Sequence, residues 1–325
     1  MTDLGSSTRR GTTVLALQQT LGRYLGVLAA LLMLIVWQLT TQSQFATWGN
    51  VVNILETNAA LLVVSVGMTF VMLVGGFDLS LGGLLALSGV VLAKLINGGV
   101  PTPLAVVIVV VFGLAAGLLC NGFLIAVVGL SFFVITIGTA SIFRAVGLTA
   151  TGGSTQGLYT NSFLQSLGSG SVLGIPWIVL VAFVVFLLGG GVTRYSGFGR
   201  MLYAAGGNPE AARLAGINVR AVRMAAYGVA GALAGLAGVM TTGRLASASP
   251  DMGLGIELTA GAAVLIGGTS FLGGSGSMLG TLFGVLFLGV LSNSLTLAGI
   301  SAFWQGLVSG AVLILAVLID RLRPN

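Results

Sequence analysis

Charged side chains are scarce in this sequence. Lysine and arginine together number 13 of its 325 residues and aspartate and glutamate 7, which makes it 6% charged, against about 25% in ordinary soluble domains. Apolar residues make up 56%, glycine contributes 52 residues and the mean hydropathy is +1.09. A water-soluble chain of this length cannot cover its surface with so few charges. The composition therefore predicts an all-α polytopic membrane protein.

Histidine is absent, Cys120 is the only cysteine and Lys94 is the only lysine. These counts exclude a histidine metal site, an imidazole proton relay, a Ser-His triad and an intrachain disulfide. Because Leu95 follows Lys94, the chain also lacks the Gly-Lys-Ser/Thr loop that binds nucleotide phosphates. We therefore expect no metal, no cofactor and no catalysis on this chain.

The net charge of +6 comes from arginines that flank the apolar stretches. This charge is not expected to indicate binding to a nucleic acid. The expected surroundings of the chain are membrane lipids.

Long stretches without charge predict about ten membrane-spanning helices. The longest is residues 258–319, enough for three spans of about 20 residues each. Polar, glycine and proline clusters divide the stretches further. The predicted spans are 22–41, 53–74, 80–97, 103–128, 132–150, 173–193, 222–243, 257–272, 277–298 and 301–319.

The arginines predict the orientation of the spans. They concentrate in an N-terminal tail (1–21) that continues to Arg23, in a long loop (194–221) and after the last span. Ten spans place all three regions on one side, and the positive-inside rule makes that side cytoplasmic, with both termini. The outer loops are then expected near 98–102, 151–172 and 244–256. The whole chain, 1–325, is predicted to form one transmembrane domain.

Glycine pairs four residues apart predict close contacts between helix backbones in the membrane. The pairs are Gly113 with Gly117, Gly231 with Gly235, and Gly280 with Gly284.

A short sequence echo indicates an internal repeat, although glycine-rich stretches also produce such echoes by chance. Residues 73–76 and 265–268 read Leu-Val-Gly-Gly and Leu-Ile-Gly-Gly, and a second glycine pair follows each, at 82–83 and 273–274. Repeats of this kind are common in transporters.

The long loop contains the signals of a short helix. Asn208 is a good N-cap, Pro209 suits the first helical position, and Glu210 favours the positive end of a helix. Gly216 suits the left-handed position after the last turn. A helix of two turns is marginal alone, so we expect it to lie on the lipid surface or to dock a cytoplasmic partner.

Among the charged residues within or beside predicted spans, Asp78 and Arg144 are candidates for function. Asp78 is expected at a cytoplasmic edge, where it either caps the third span or holds an irregular turn that responds to docking. Arg144 lies inside the fifth span, where it either contacts a passing solute or braces an irregular helix, and Glu56 is its candidate partner.

Further polar residues are candidates for a transport path or for docking. The path candidates are Asp78, Arg144 and four uncharged residues, Asn58, Asn121, Thr136 and Asn293, and each of the uncharged four could instead be a helix–helix contact. The outer loop carries Arg244, Asp251 and Glu257, which either meet a partner's rim or belong to an ordinary solvated loop.

Three stretches resemble one family. Residues 206–217 read Gly-Gly-Asn-Pro-Glu-Ala-Ala-Arg-Leu-Ala-Gly-Ile, and residues 75–82 read Gly-Gly-Phe-Asp-Leu-Ser-Leu-Gly. The third combines Gly-Ile-Glu-Leu at 255–258, Val-Leu-Ile-Gly-Gly-Thr-Ser at 264–270 and Gly-Thr at 280–281. All three are similar to motifs of the permease subunits of bacterial ABC importers for monosaccharides, the ribose/xylose/arabinose branch. Gly261, where the family usually has Ile or Val, and Phe271 depart from the pattern, and neither departure predicts a functional consequence.

The resemblance implies a non-catalytic permease in the bacterial plasma membrane, the translocation path for a ribose-like sugar. It implies three partners: a cytoplasmic ATP-binding cassette subunit, a periplasmic or extracellular sugar-binding protein, and a second copy or paralogue of the permease. The loop that docks the ATPase would contain Gly207, Asn208, Pro209, Glu210, Arg213 and Gly216. The alternative is a secondary transporter coupled to protons or sodium through Asp78, Glu56 and Arg144.

Overall fold

A computed structural model describes residues 26–159 and 161–301, with eight further helical positions between 304 and 318. The N-terminal tail (1–21), most of the tenth predicted span (301–319) and the C-terminal arginines therefore lie outside the described residues.

Helices dominate the described chain. The long ones are α2 (Trp48–Leu73), α6 (Phe132–Thr151), α8 (Trp177–Tyr195), α11 (Val219–Leu245) and α13 (Met278–Leu297), together with Thr102–Ala126, which comprises α4 (Thr102–Ala116), a π-helical turn (Gly117–Gly122) and α5 (Phe123–Ala126). These six are long and apolar enough to cross a membrane. The shorter apolar helices are α1 (Gly26–Thr41), α3 (Leu81–Asn97) and α12 (Ile256–Ile266). The prediction of a polytopic all-α membrane protein is confirmed.

The remaining elements are short and lie at the ends of the bundle. They are α7 (Ser162–Ser169), α9 (Gly197–Gly207), α10 (Pro209–Leu214), and four two-residue strands, β1 (Gln156–Gly157), β2 (Ser171–Val172), β3 (Ile175–Pro176) and β4 (Ser247–Ala248). Strand β1 pairs antiparallel with β4, and β2 with β3. We call the end with α9 and α10 the α10 end, and the opposite one the strand end.

Helix α11 is the central helix, and small residues let its neighbours approach. A β-carbon on Gly231 would lie 2.2 Å from the carbonyl oxygen of Gly113, and one on Gly113 would lie 2.4 Å from that of Gly231. Helix α13 meets α12 in the same way, since a β-carbon on Gly284 would lie 1.9 Å from the carbonyl oxygen of Ala263. The predicted glycine contacts are confirmed, and glycine is needed there because any side chain would separate the backbones.

The periphery of the bundle is apolar and exposed. Helix α6 buries one stripe of residues and exposes Val134, Ile137 and Ile142 by 69%, 53% and 58%. Such a surface suits hydrocarbon rather than water.

Candidate functional site

A break between α2 and α3 places a carboxylate inside the protein. Helix α2 ends at Leu73 and α3 begins at Leu81. Between them the Asp78 side chain is fully buried, and its Oδ1 accepts hydrogen bonds from the backbone N–H (2.9 Å) and Oγ (2.6 Å) of Ser80. A carboxylate without these donors would be costly to bury.

The π-helical turn adds an amide to this carboxylate. Asn121 Nδ2 donates to Asp78 Oδ2 at 3.1 Å and to Ser80 Oγ at 2.7 Å. Its Oδ1 accepts from Thr139 Oγ1 at 2.7 Å. Thr136, one turn earlier on α6, is buried as well. The structure thus brings together three predicted path residues and two that the sequence did not single out, Ser80 and Thr139. We call these five residues the Asp78 cluster. A π turn often marks a functional site, but nothing in the sequence announces one.

Helix α11 shows how deep the cluster lies. A β-carbon on Gly76 would lie 2.5 Å from Tyr227 Oη, and Tyr227 is about 12 Å along α11 from its start at the α10 end. A β-carbon on Gly89 would lie 3.7 Å from the carbonyl oxygen of Gly238. Gly238 is about 28 Å along α11 from the same start. Helix α3 therefore starts near half depth. The expected position of Asp78 at an edge is wrong, because α3, with 17 residues, is shorter than the six long helices and begins inside the bundle.

A second break reaches the same depth from the strand end. After α11, residues 246–255 descend along α3 before α12 begins, since a β-carbon on Gly89 would lie 2.4 Å from Met252 Cε. One on Gly82 would lie 2.0 Å from Glu257 Oε2. That oxygen is buried and has no hydrogen-bond partner among the described residues. The predicted outer loop at 244–256 is therefore largely an inserted segment.

The ion pairs differ from the expected ones. Arg144 Nη1 lies 3.4 Å from Asp251 Oδ1 and 3.4 Å from the carbonyl oxygen of Pro250. Glu56 instead lies 3.8 Å from Arg244. The predicted Arg144–Glu56 pair is wrong, because the inserted segment brings Asp251 to Arg144 while Glu56 stays near the strand end.

The docking candidates Arg244, Asp251 and Glu257 lie at different depths. Arg244 is at the strand end, whereas Glu257 is level with Gly82 near half depth. Asp251 lies between them with a 71% exposed side chain. They do not form one rim.

Two further path candidates lie elsewhere, between α2 and α13. Asn293 exchanges hydrogen bonds with Asn50 at 2.8 and 3.1 Å. Asn58 Nδ2 donates to the carbonyl oxygen of Ile54 at 2.8 Å, against Gly289. These contacts agree with their alternative reading as helix–helix contacts.

Residues 207–217, which we call the α10 segment, have the predicted caps. Asn208 Oδ1 accepts from the backbone N–H of Ala211 at 3.0 Å, and Gly216 is left-handed with φ +83°. Glu210 and Arg213 form an exposed pair at 3.0 Å. Leu214 is 92% exposed, so α10 presents a surface without a partner among the described residues.

Gly206 joins this segment to both loops of the sequence echo. A β-carbon on it would lie 1.9 Å from the carbonyl oxygen of Leu73 and 2.6 Å from the backbone nitrogen of Gly274. Gly274 N–H itself donates to that Leu73 oxygen at 3.0 Å. We call Leu73, Gly206 and Gly274 the glycine junction. This junction was not predicted from the sequence, although the paired glycines at 206–207 and in the echo were its signal.

Comparisons with known proteins identify the family of this chain. Residues 50–317 match the family described as branched-chain amino acid transport system / permease component. The ribose import permease of Escherichia coli (strain K12) is 40% identical over 297 residues, 90% of this chain and 92% of that protein. That of Bacillus subtilis (strain 168) is 40% identical over 304 residues, 93% of each.

A permease for another sugar is similar too. The D-allose transport system permease of Escherichia coli (strain K12) is 38% identical over 279 residues, 86% of this chain and 85% of that protein. No solved structure matched the chain. The resemblance to sugar-importer permeases is confirmed, and the chain belongs to this family of permease components, which are multi-pass proteins of the bacterial inner membrane.

Proposed function

We propose that this chain carries a monosaccharide, ribose or a close relative such as allose, across the membrane. One observation carries the proposal beyond the family. Two interrupted helices meet near half depth, and Gly206, in the last turn of α9 before α10, contacts the loop that follows α2 and the loop that follows α12. Interrupted helices at the midplane are where many transporters bind their solutes.

The proposed topology has ten spans with both termini in the cytoplasm. Nine of the ten spans correspond to described helices. The short helices α7, α9 and α10 are not counted as spans. The α10 end is then cytoplasmic. This assignment is supported by its arginines at 194, 200, 213, 220 and 223 and the positive-inside rule.

The proposed path runs along the face of the bundle that α6 and the inserted segment form together. Arg144 and Asp251 face it, and the backbone of 249–255 lines it. An exposed carboxylate and an irregular backbone of turns at this depth cannot face hydrocarbon, so this face borders water or a second copy of the chain. The Asp78 cluster supports the path from behind, with Asn121 and Thr136 as its nearest polar groups.

The α10 segment is the proposed docking site of a cytoplasmic ATPase, with Gly207, Asn208, Pro209, Glu210, Arg213 and Gly216 at the contact. ATP hydrolysis belongs to that partner, and no cofactor is needed here. The strand end, with Arg244 and Asp251 toward it, would receive a sugar-binding protein.

Uptake by proteoliposomes tests the function. Vesicles with this chain, its ATPase and its binding protein are expected to accumulate labelled ribose or allose only with ATP. Matched vesicles with this chain alone receive an imposed proton or sodium gradient. Uptake in the second set and not in the first would instead establish an ion-coupled transporter.

A further inference from the structure

A cavity of about 590 Å³ opens at the α10 end between α8, α9 and α13. Part of its wall is apolar and includes Phe186, Leu187 and Met278. Arg194, Arg200 and Tyr203 line its other part. The cavity thus combines an apolar interior with a cationic rim.

Missing side chains on α8 create the cavity. Gly190 and Gly191 both line it. A β-carbon on Gly191 would meet no atom within 4 Å, and one on Gly190 would meet only Met278 Cβ, at 3.8 Å. The next glycine along is different, because a β-carbon on Gly189 would lie 2.8 Å from Val66 Cγ1. Two of the three consecutive glycines therefore serve no close helix contact, and they leave a preformed groove.

The rim is positively charged, and no acidic residue in the described part of the chain neutralises it. Neither Arg194 nor Arg200 forms an ion pair with a described residue, and the Arg194 guanidinium lies over the Tyr195 ring at 5.6 Å. Helix α13 begins at Met278, in the wall of the cavity, so the positive end of its dipole adds to the rim. An anion is favoured at this rim.

We propose that this cavity binds one anionic phospholipid, with its phosphate at Arg194 and Arg200 and an acyl chain along Gly190 and Gly191. A basic pocket between spans, next to the membrane surface, suits such a headgroup. A free phosphate would use the rim and leave the apolar groove empty, so the groove points to a lipid. The proposal rests on the proposed topology only in placing this lipid in the cytoplasmic leaflet.

Native mass spectrometry of the purified, delipidated chain tests the site. The chain is mixed with detergent micelles that contain dioleoyl phosphatidylglycerol or dioleoyl phosphatidylcholine, and the retained lipid molecules are counted. Phosphatidylglycerol is expected to be retained over phosphatidylcholine. Arg194→Gln with Arg200→Gln is expected to lower its retention at least fivefold, and Gly191→Leu should lower it similarly by filling the groove. The matched control is Arg220→Gln, an exposed arginine at the same end that does not line the cavity.

Three results would overturn the proposal. They are equal retention of the two lipids, unchanged retention in both the arginine and the glycine variants, and complete displacement of phosphatidylglycerol by millimolar inorganic phosphate. Gly191→Val replaces Gly191→Leu if that variant does not give a monodisperse protein. The assay needs neither an ATPase nor a sugar. Its result can therefore be interpreted even if uptake in proteoliposomes fails.

Discussion

Phe77 explains both departures from the family pattern at the residue scale. A β-carbon on Gly261 would lie 2.3 Å from Phe77 Cζ, and the Phe77 and Phe271 rings lie 5.8 Å apart. Phe271 also contacts Phe133, with ring centroids 6.3 Å apart. Gly261 thus leaves room for the ring and Phe271 packs against it. The two departures have one structural consequence that the sequence did not reveal, because residues 77, 261 and 271 meet only in the fold.

Gly261→Val is expected to destabilise the protein by about 1–3 kcal/mol, because the new side chain overlaps the buried Phe77 ring. Adding Phe77→Val should restore most of the loss by removing that ring. Thermal unfolding in detergent measures both. Gly138→Val is the control, since a β-carbon there meets no atom within 4 Å. An equal loss for Gly138→Val, or no rescue, would contradict the packing argument.

Asp78 is expected to matter for stability, whatever its part in transport. Asp78→Ala removes the acceptor of Ser80 and Asn121 and leaves their donors buried, which costs about 1–3 kcal/mol. Asp251→Ala, whose side chain is 71% exposed, should cost much less. Thermal unfolding of both variants provides the comparison, and similar losses would show that the Asp78 cluster contributes little to the fold.

At the scale of the element, sequence signals predicted those helices and caps that depend on residues close together in the sequence. The caps at Asn208 and Gly216 correctly predicted α10 because capping involves residues only a few positions apart. The bounds of α3 were also predicted, as 80–97 against the observed Leu81–Asn97, but the depth at which α3 and α12 begin was not predictable in the same way. Residues 74–80 and 246–255 are apolar enough to read as parts of spans or loops, and only packing against α11 and α3 places them inside the bundle.

The glycine junction is expected to carry motion from α10 to both interrupted helices. Gly206→Ala must push α9 away from Leu73 and Gly274, so uptake should fall at least tenfold while ATP hydrolysis continues. Gly197→Ala is the matched control on α9, because the nearest atom to its β-carbon would be Arg200 Nη2 at 3.8 Å.

ATP hydrolysis and sugar uptake are measured in the same proteoliposomes. Normal uptake in Gly206→Ala, with the protein folded, would exclude a part for this junction in coupling.

The orientation of the whole molecule has a direct test in two exposed leucines. Leu173 at the strand end is 96% exposed and Leu214 on α10 is 92% exposed. Cys120 is the only native cysteine, so Cys120→Ala gives a background for single cysteines. Leu173→Cys should react with an impermeant maleimide in intact cells, and Leu214→Cys only after permeabilisation. The reverse pattern would invert the proposed topology.

Docking of an ATPase is tested by reversing the charges of α10. Glu210→Lys with Arg213→Glu keeps an ion pair three residues apart, and exposed pairs contribute only about 0–1 kcal/mol. The fold should therefore survive while the surface offered to the partner is reversed. We expect loss of co-purification with the ATPase, or ATP hydrolysis uncoupled from uptake. Normal co-purification together with normal uptake would rule out docking at α10.

The sequence by itself determined the class of the molecule, its apolar spans and the capped helix of the long loop. Those properties follow from composition and from interactions between near neighbours. The tertiary structure alone decided that Asp78 is buried, that Arg144 pairs with Asp251, and that Gly206 meets Leu73 and Gly274. Each of these depends on two interrupted helices whose depth is set by packing against α11. In a membrane an irregular backbone is tolerated only where protein or water covers it, so the rest of the fold fixes where the breaks lie.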